Sequence, residues 1–246
     1  IISCGRKSVY LSLFLKRKYK DKIVTIYIQN PKSKFEEFDV IISPKHDNLN
    51  FSNSYSTNLA INHISEPLIK EDMKKFSSLI SDQDLPICTV LIGGKSNNYI
   101  FDNIELDRLM DKLKRIKENQ EIKFFFLFSR RTDQNIINKI NREFNASDIV
   151  WSDENNNPYL ALLGFSKYLI CTSDSVSMIS EAISSMNLVY IFRLRSSKSK
   201  NRIEDFNDFV ITKGFARELD WKLDEFKHDY TNETVIIAEK IINKFK

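Results

Sequence analysis

The amino-acid sequence predicts an α/β protein of two lobes, each built on a parallel sheet flanked by helices. Three observations lead there. Short apolar, β-prone runs alternate with helical stretches along almost the whole chain. Several of those runs, such as Thr89 to Ile92 and Phe124 to Phe128, lack polar alternation, as strands buried on both faces do. The helical stretches carry apolar residues at spacings of three and four. With 246 residues, 42% of them hydrophobic, the chain has enough apolar surface for real cores.

In chain order, the first lobe has predicted strands at 1–4, 22–28 and 39–43. The second has them at 86–92, 123–128, 148–151, 168–171 and 188–192. Between them, 104–117 places Leu106, Leu109, Met110, Leu113 and Ile116 on one helix face, and 135–144 does the same with Ile136, Ile137, Ile140 and Phe144. A polar helix with Glu71, Asp72, Lys74 and Lys75 runs into Ser81-Asp82-Gln83-Asp84-Leu85-Pro86, and Pro86 fits the first position of a strand. This break sets the lobes at 1–80 and 84–225; in the remaining 226–246, a helix at 231–245 can cross back onto the first lobe. The chain opens at Ile1 inside a strand, so the first lobe is expected to be N-terminally incomplete.

Composition excludes several classes. Gly and Pro number five each, too few for collagen-like or low-complexity structure. No apolar run approaches the roughly 20 residues that span a bilayer. Three scattered cysteines, Cys4, Cys88 and Cys171, argue for a reducing, cytoplasmic setting and against a zinc cluster. A net charge of +4 is too mild for a dedicated nucleic-acid binder. The one basic cluster is at the start, where Arg6, Lys7, Lys16, Arg17, Lys18, Lys20 and Lys22 accompany Val9, Leu11, Leu13, Phe14 and Leu15. It reads either as a packed helix with a basic end or as a peripheral contact with the inner membrane.

The chemistry is expected at strand ends. Tyr168 to Thr172 runs into Ser173-Asp174-Ser175 and then directly into a helix, which puts a helix N-terminus at the carboxyl end of a parallel strand. Free amides of Ser175, Val176 and Ser177 there suit a diphosphate, and Glu181, about two turns on, can accept from ribose hydroxyls. The alternative is that Ser173 or Asp174 simply caps the helix. Gly93-Gly94 ends another strand and implies a sharp turn, a close approach or a phosphate contact; the spacing of a P-loop is absent. Ser129-Arg130-Arg131 follows a third strand, where paired guanidinium forks can clamp a phosphate or lie solvated. Pro158 fits a first helical turn, with Tyr159 either stacking on a base or packing inward. In the first lobe, Gly5 and Arg6 form a strand–Gly–helix turn, and His46 beside Asp47 is a candidate general base. No spacing of His and carboxylates suggests a metal, and no cofactor is expected.

The segments SCGRKS, QNPKSKFEEFDVIISPKHDNL, LIGGKSNNYIF, SRRT, NPY and TSDSVSMISEA resemble, in order, the motifs of the mitochondrial-fission ELM family over roughly residues 1–217. The resemblance implies two Rossmann-like lobes related to the GT-B glycosyltransferases, which hold a nucleotide-sugar. It also implies a donor side at Gly93, Gly94, Ser129, Arg130, Thr172, Asp174, Ser175 and Glu181, and an acceptor side at Gly5, Arg6, His46 and Asp47. Two functions follow as expectations. One is a metal-independent glycosyltransferase that uses a nucleotide-sugar donor and an envelope saccharide or lipid acceptor. The other is a non-catalytic scaffold that keeps the fold.

Overall fold

Two parallel sheets organise the chain in the computed structural model, which describes every residue except Asp82, Glu154 and Lys200. Asp82, part of the break expected between the lobes, therefore lies outside the described residues. The chain divides into two compact units, one of Ile1–Ile61 with Asn232–Lys246 and one of Asn62–Thr231.

The first unit opens with β1 (Ile2–Cys4), α1 (Arg6–Tyr19), β2 (Ile26–Ile28), β3 (Val40–Pro44) and β4 (Ser54–Thr57). Its four strands pair in parallel in the order β1-β2-β3-β4. Side chains alternate between the two faces. Tyr27 and Ile41 point to one face, where Val9 and Leu13 of α1 and Phe38 close a core. Asp39 accepts from Thr25 N and Oγ1, both at 2.8 Å, and from Lys16 Nζ at 2.9 Å, tying α1 to the starts of two strands. Burial pushes the Asp39 carboxyl up, but Lys16 and Thr25 outweigh it and hold the group below its ordinary range.

The second unit contains α2 (Glu66–Lys75), β5 (Ile87–Ile92), β6 (Tyr99–Ile100), α3 (Asn103–Asn119), β7 (Lys123–Phe128), α4 (Gln134–Phe144), β8 (Ile149–Val150), α5 (Tyr159–Phe165), β9 (Tyr168–Thr172), α6 (Val176–Ser184), β10 (Leu188–Phe192), β11 (Arg195–Ser196), α7 (Arg202–Thr212) and β12 (Arg217–Glu218). Six of its strands form one parallel sheet in the order β12-β10-β9-β5-β7-β8, and β6 with β11 makes a short antiparallel ribbon. The chain enters the sheet at β5, builds outward through β7 and β8, then returns to the other side of β5 with β9. That reversal makes the carboxyl ends of β5 and β9 the topological switch point, where open α/β sheets bind ligands. Every residue of β5 and β9 is buried, as continuous apolar strands covered on both faces must be. Leu106, Leu109 and Leu113 of α3 and Ile136, Ile140 and Phe144 of α4 pack with Val90, Phe124 and Phe126 in one core.

The segment 62–80, assigned from the sequence to the first lobe, belongs to the second unit. The reason is a close helix pair. Ala161 N of α5 donates to Asp72 Oδ2 of α2 at 3.0 Å, and a β-carbon on Gly164 would lie 2.4 Å from Met73 Sδ. The last helix, α8 (Glu233–Lys244), returns to the first unit, where Ile237 and Ile241 pack with Val40 and Ile42 on the face opposite α1. Glu233 accepts from the Asn58 backbone N at 2.6 Å. Among the described residues no helix is long and apolar enough to cross a membrane.

Candidate functional site

The carboxyl ends of β5 and β9 are fastened to each other by side chains from the turn after β9. Thr172 Oγ1 accepts from Gly93 N at 2.8 Å and donates to Asp174 Oδ1 at 2.6 Å. Gly94 N donates to Asp174 Oδ2 at 3.1 Å. Both glycines are needed for close approach. A β-carbon on Gly93 would fall 2.1 Å from Asp174 Oδ1, and one on Gly94 would fall 2.2 Å from the carbonyl carbon of Arg131. The amides that a phosphate contact at Gly93 and Gly94 requires are therefore committed to Thr172 and Asp174. Burial raises the Asp174 carboxyl above its ordinary value, against the pull of Thr172 and the Gly94 amide.

The turn after β7 seats on the same strand end. Ser129 N donates to Ile92 O, Thr132 Oγ1 to Gly93 O at 2.7 Å, and Lys95 N to Arg131 O at 3.0 Å. Arg131 Nη1 reaches Lys95 O at 3.1 Å, and Nη2 lies 3.9 Å from Asp174 Oδ2. Arg130 is exposed and has no ion-pair partner among the described residues. The two arginines thus do different things: Arg131 braces the Gly94 turn and partly neutralises Asp174, while Arg130 faces solvent.

Neither Ser173 nor Asp174 caps α6. Ser173 Oγ accepts from Leu194 N at 3.0 Å, and its carbonyl accepts from Asn207 Nδ2 at 3.0 Å. The cap is Ser175, whose Oγ accepts from Met178 N at 3.3 Å. A side-chain cap satisfies one of the four open amides of a helix start. The N–H groups of Val176 and Ser177 have no protein acceptor among the described residues. They sit at the switch point with the positive end of the helix dipole. Glu181 follows Ser177 by four residues and shares its side of the helix. Its Oε2 accepts from Tyr159 Oη at 2.8 Å. Burial and the Glu181 carboxylate raise the Tyr159 phenol far above its ordinary value, so it stays a donor.

The structure therefore gathers Gly93, Gly94, Ser129, Arg131, Thr172, Ser173, Asp174 and Ser175 at the ends of three adjacent strands, β5, β7 and β9, with Tyr159 of α5 paired to Glu181 of α6. Gly5, Arg6, His46 and Asp47 belong to the other unit. Gly5, at φ +85°, opens α1 in the region glycine favours, and no side chain caps that helix. His46 and Asp47 occupy one short turn, Lys45–Asp47, after β3. Sequence reasoning gave no role to three supports of the site. Thr132 locks the Gly93 carbonyl, and Tyr99 with Asn207 holds the Ser173 carbonyl from beneath. Burial pushes the Tyr99 phenol up to about 12. The available signal was Asn207 itself, a fully buried amide between the buried Phe206 and Val210 on α7. Among the described residues no group of three His, Cys, Asp or Glu could hold a metal ion.

The sequence pattern of the family described as mitochondrial fission ELM1 matches residues 1–245. The chain belongs to this family. An uncharacterized protein of Rickettsia prowazekii (strain Madrid E) is 30% identical over 278 residues, covering 98% of this chain and 78% of that one. The mitochondrial fission protein ELM1 of Arabidopsis thaliana is 23% identical over 244 residues, covering 89% of this chain and 56% of its own length. Among solved structures, UDP-GlcNAc 2-epimerase from Neisseria meningitidis bound to UDP-GlcNAc is similar with a TM-score of 0.55 and 12% identity, over 98% of this chain and 76% of that one. The Methanocaldococcus jannaschii UDP-GlcNAc 2-epimerase in complex with UDP-GlcNAc and UDP gives 0.52 and 9%, over 99% and 75%. At such identities the likeness shows the fold, which is GT-B-like with parallel sheets flanked by helices.

Proposed function

We propose that the second unit binds the nucleoside diphosphate of a nucleotide-sugar, and that the protein is a GT-B-like glycosyltransferase acting on a cell-envelope acceptor. One observation carries the donor site: the unpartnered amides of Val176 and Ser177 open α6 at the switch point, with Glu181 on the same side of the helix. Amides and dipole would hold the diphosphate, whose charge grows as the sugar departs, and Arg130, on the loop after β7, would add a cation. Glu181 would accept from the ribose. Gly93 and Gly94 support this reading as packing residues rather than as phosphate ligands. In the first unit, His46 or Asp47 would take the proton of an acceptor hydroxyl. The two solved structures above, crystallised with UDP-GlcNAc, are consistent with such a ligand.

The test is thermal unfolding with UDP-, GDP-, ADP- and CMP-sugars. A ligand at 100 times its dissociation constant adds about 2.7 kcal/mol of stability. If none of the four classes moves the transition, the donor reading falls.

A different observation favours a second reading, an interaction protein that retains the fold. Ile2, Tyr10, Leu11 and Phe14 are 60–70% exposed on β1 and α1, a grouping of large apolar side chains that marks contact surfaces. Were all nucleotide-sugars inert, a partner lost on Tyr10→Ser with Phe14→Ser would support this account.

A further inference from the structure

The phenol of Tyr159 terminates on a carboxylate. Its support is rigid. Asn157 Oδ1 accepts from Tyr159 N at 3.1 Å, and α5 is pinned to α2 by the Ala161–Asp72 bond and by the close approach at Gly164. From that platform Oη donates to Glu181 Oε2 at 2.8 Å. Oε1 of Glu181 has no protein donor among the described residues. A carboxylate has about four acceptor positions on its two oxygens. One bond from Tyr159 leaves enough for both hydroxyls of a vicinal diol, while removing the free rotation that a glutamate side chain otherwise has.

We propose that Tyr159 is a positioning residue that holds Glu181 in the one orientation able to read a ribose diol, making the site selective for ribonucleotides over their dideoxy forms. This rests on the donor site proposed above. The phenol stays protonated throughout the neutral range, because burial and Glu181 raise its pKa, so it goes on donating to Glu181 whatever the ligand. Removing the hydroxyl frees Glu181 to rotate and to satisfy itself with water. Affinity should then fall only for ligands that carry the diol.

The experiment is calorimetric titration of the full chain with the diphosphates of uridine, adenosine, guanosine and cytidine, each beside its 2′,3′-dideoxy counterpart. For the wild-type protein at least one ribonucleotide should bind on the order of tenfold or more tightly than its dideoxy form, the worth of about 1.4 kcal/mol. Tyr159→Phe should shrink that ratio several-fold with the dideoxy affinity unchanged, and Glu181→Ala should abolish it. In the double variant Tyr159→Phe should add nothing further. Should the phenylalanine variant not fold, Tyr159→Met, which keeps an apolar side chain of similar length, carries the same comparison. An unchanged ratio in the Tyr159 variant would overturn the proposal while leaving the donor site standing. Equal binding of ribo and dideoxy forms by the wild-type protein would do the same. Failure of the wild-type protein to bind any of the eight would remove the donor site and this inference together.

Discussion

The carboxylate of Asp174 sits where the side chain of any residue but glycine at position 93 would have to be, with Oδ1 2.1 Å from an ideal Gly93 β-carbon. This contact joins the ends of β5 and β9. It also explains why two of the five glycines stand side by side in this sequence. Gly93 admits a carboxylate and Gly94 admits the Arg131 backbone.

Gly93→Ala should therefore destabilise the second unit by about 1–3 kcal/mol, the ordinary cost of overpacking a dense interior. Asp174 is 3% exposed and cannot swing into solvent to relieve the clash. Urea unfolding followed by near-ultraviolet circular dichroism checks this. A neutral result would mean that the strand ends are looser than their hydrogen bonds indicate.

Asp174→Ala should cost more, because it orphans the Gly94 N–H and the Thr172 hydroxyl, at about 1–3 kcal/mol for each buried group left unsatisfied. The milder Asp174→Asn reports on charge. The folded pKa of Asp174 is raised, so the native state binds its proton more tightly than the unfolded chain does. Its contribution becomes more favourable as pH falls through the folded value and levels off below the unfolded value near about 3.9. Relative to Asp174→Asn, the wild-type protein should gain stability on mild acidification. Paired denaturant titrations across that window measure the difference.

Asp39 has the opposite sign. Its folded pKa is lowered, so its stabilising contribution is complete above the unfolded value near about 3.9 and is lost as pH falls through the folded value. Asp39→Asn should lower the stability of the first unit at neutral pH and flatten its acid limb. Hydrogen exchange at Tyr27 and Ile41, in the strands that the Asp39 bonds align, provides the readout.

Ile241→Ala should open a cavity against Val40 and Ile42, at a cost of about 2–5 kcal/mol confined to the first unit. Amide exchange should accelerate in β2 and β3 while β5, β7 and β9 keep their protection. Uniform loss of protection would show that the two units unfold as one.

Much of this architecture was legible because strands buried on both faces leave unbroken apolar runs. Expected strands at 123–128 and 188–192 coincide with β7 and β10, and 86–92 differs from β5 only by Pro86. The strands missed have no such signature. β4, Ser-Tyr-Ser-Thr, is an edge strand of mostly polar residues defined by its pairing with β3. The β6–β11 ribbon and β12 are two residues each per strand and exist only through partners far along the chain. The unit boundary at Ile61 rather than near 80 depends on Gly164 receiving α2, which no local pattern announces. At the site, the strand–turn–helix of Thr172 to Glu181 was visible, but the partner of each side chain was not. Asp174 bonds an amide 80 residues away instead of capping its own helix, a choice set by the adjacency of β5 and β9.

The amide resonances of Val176 and Ser177 give the most direct test. In a nitrogen-15 labelled sample titrated with UDP-GlcNAc and its GDP-, ADP- and CMP-linked counterparts, both should shift downfield and saturate with the ligand that raises the melting temperature. Their neighbours Ile179 and Ala182, whose amides are already bonded within α6, should move far less. Saturable binding that leaves Val176 and Ser177 unmoved would contradict the account.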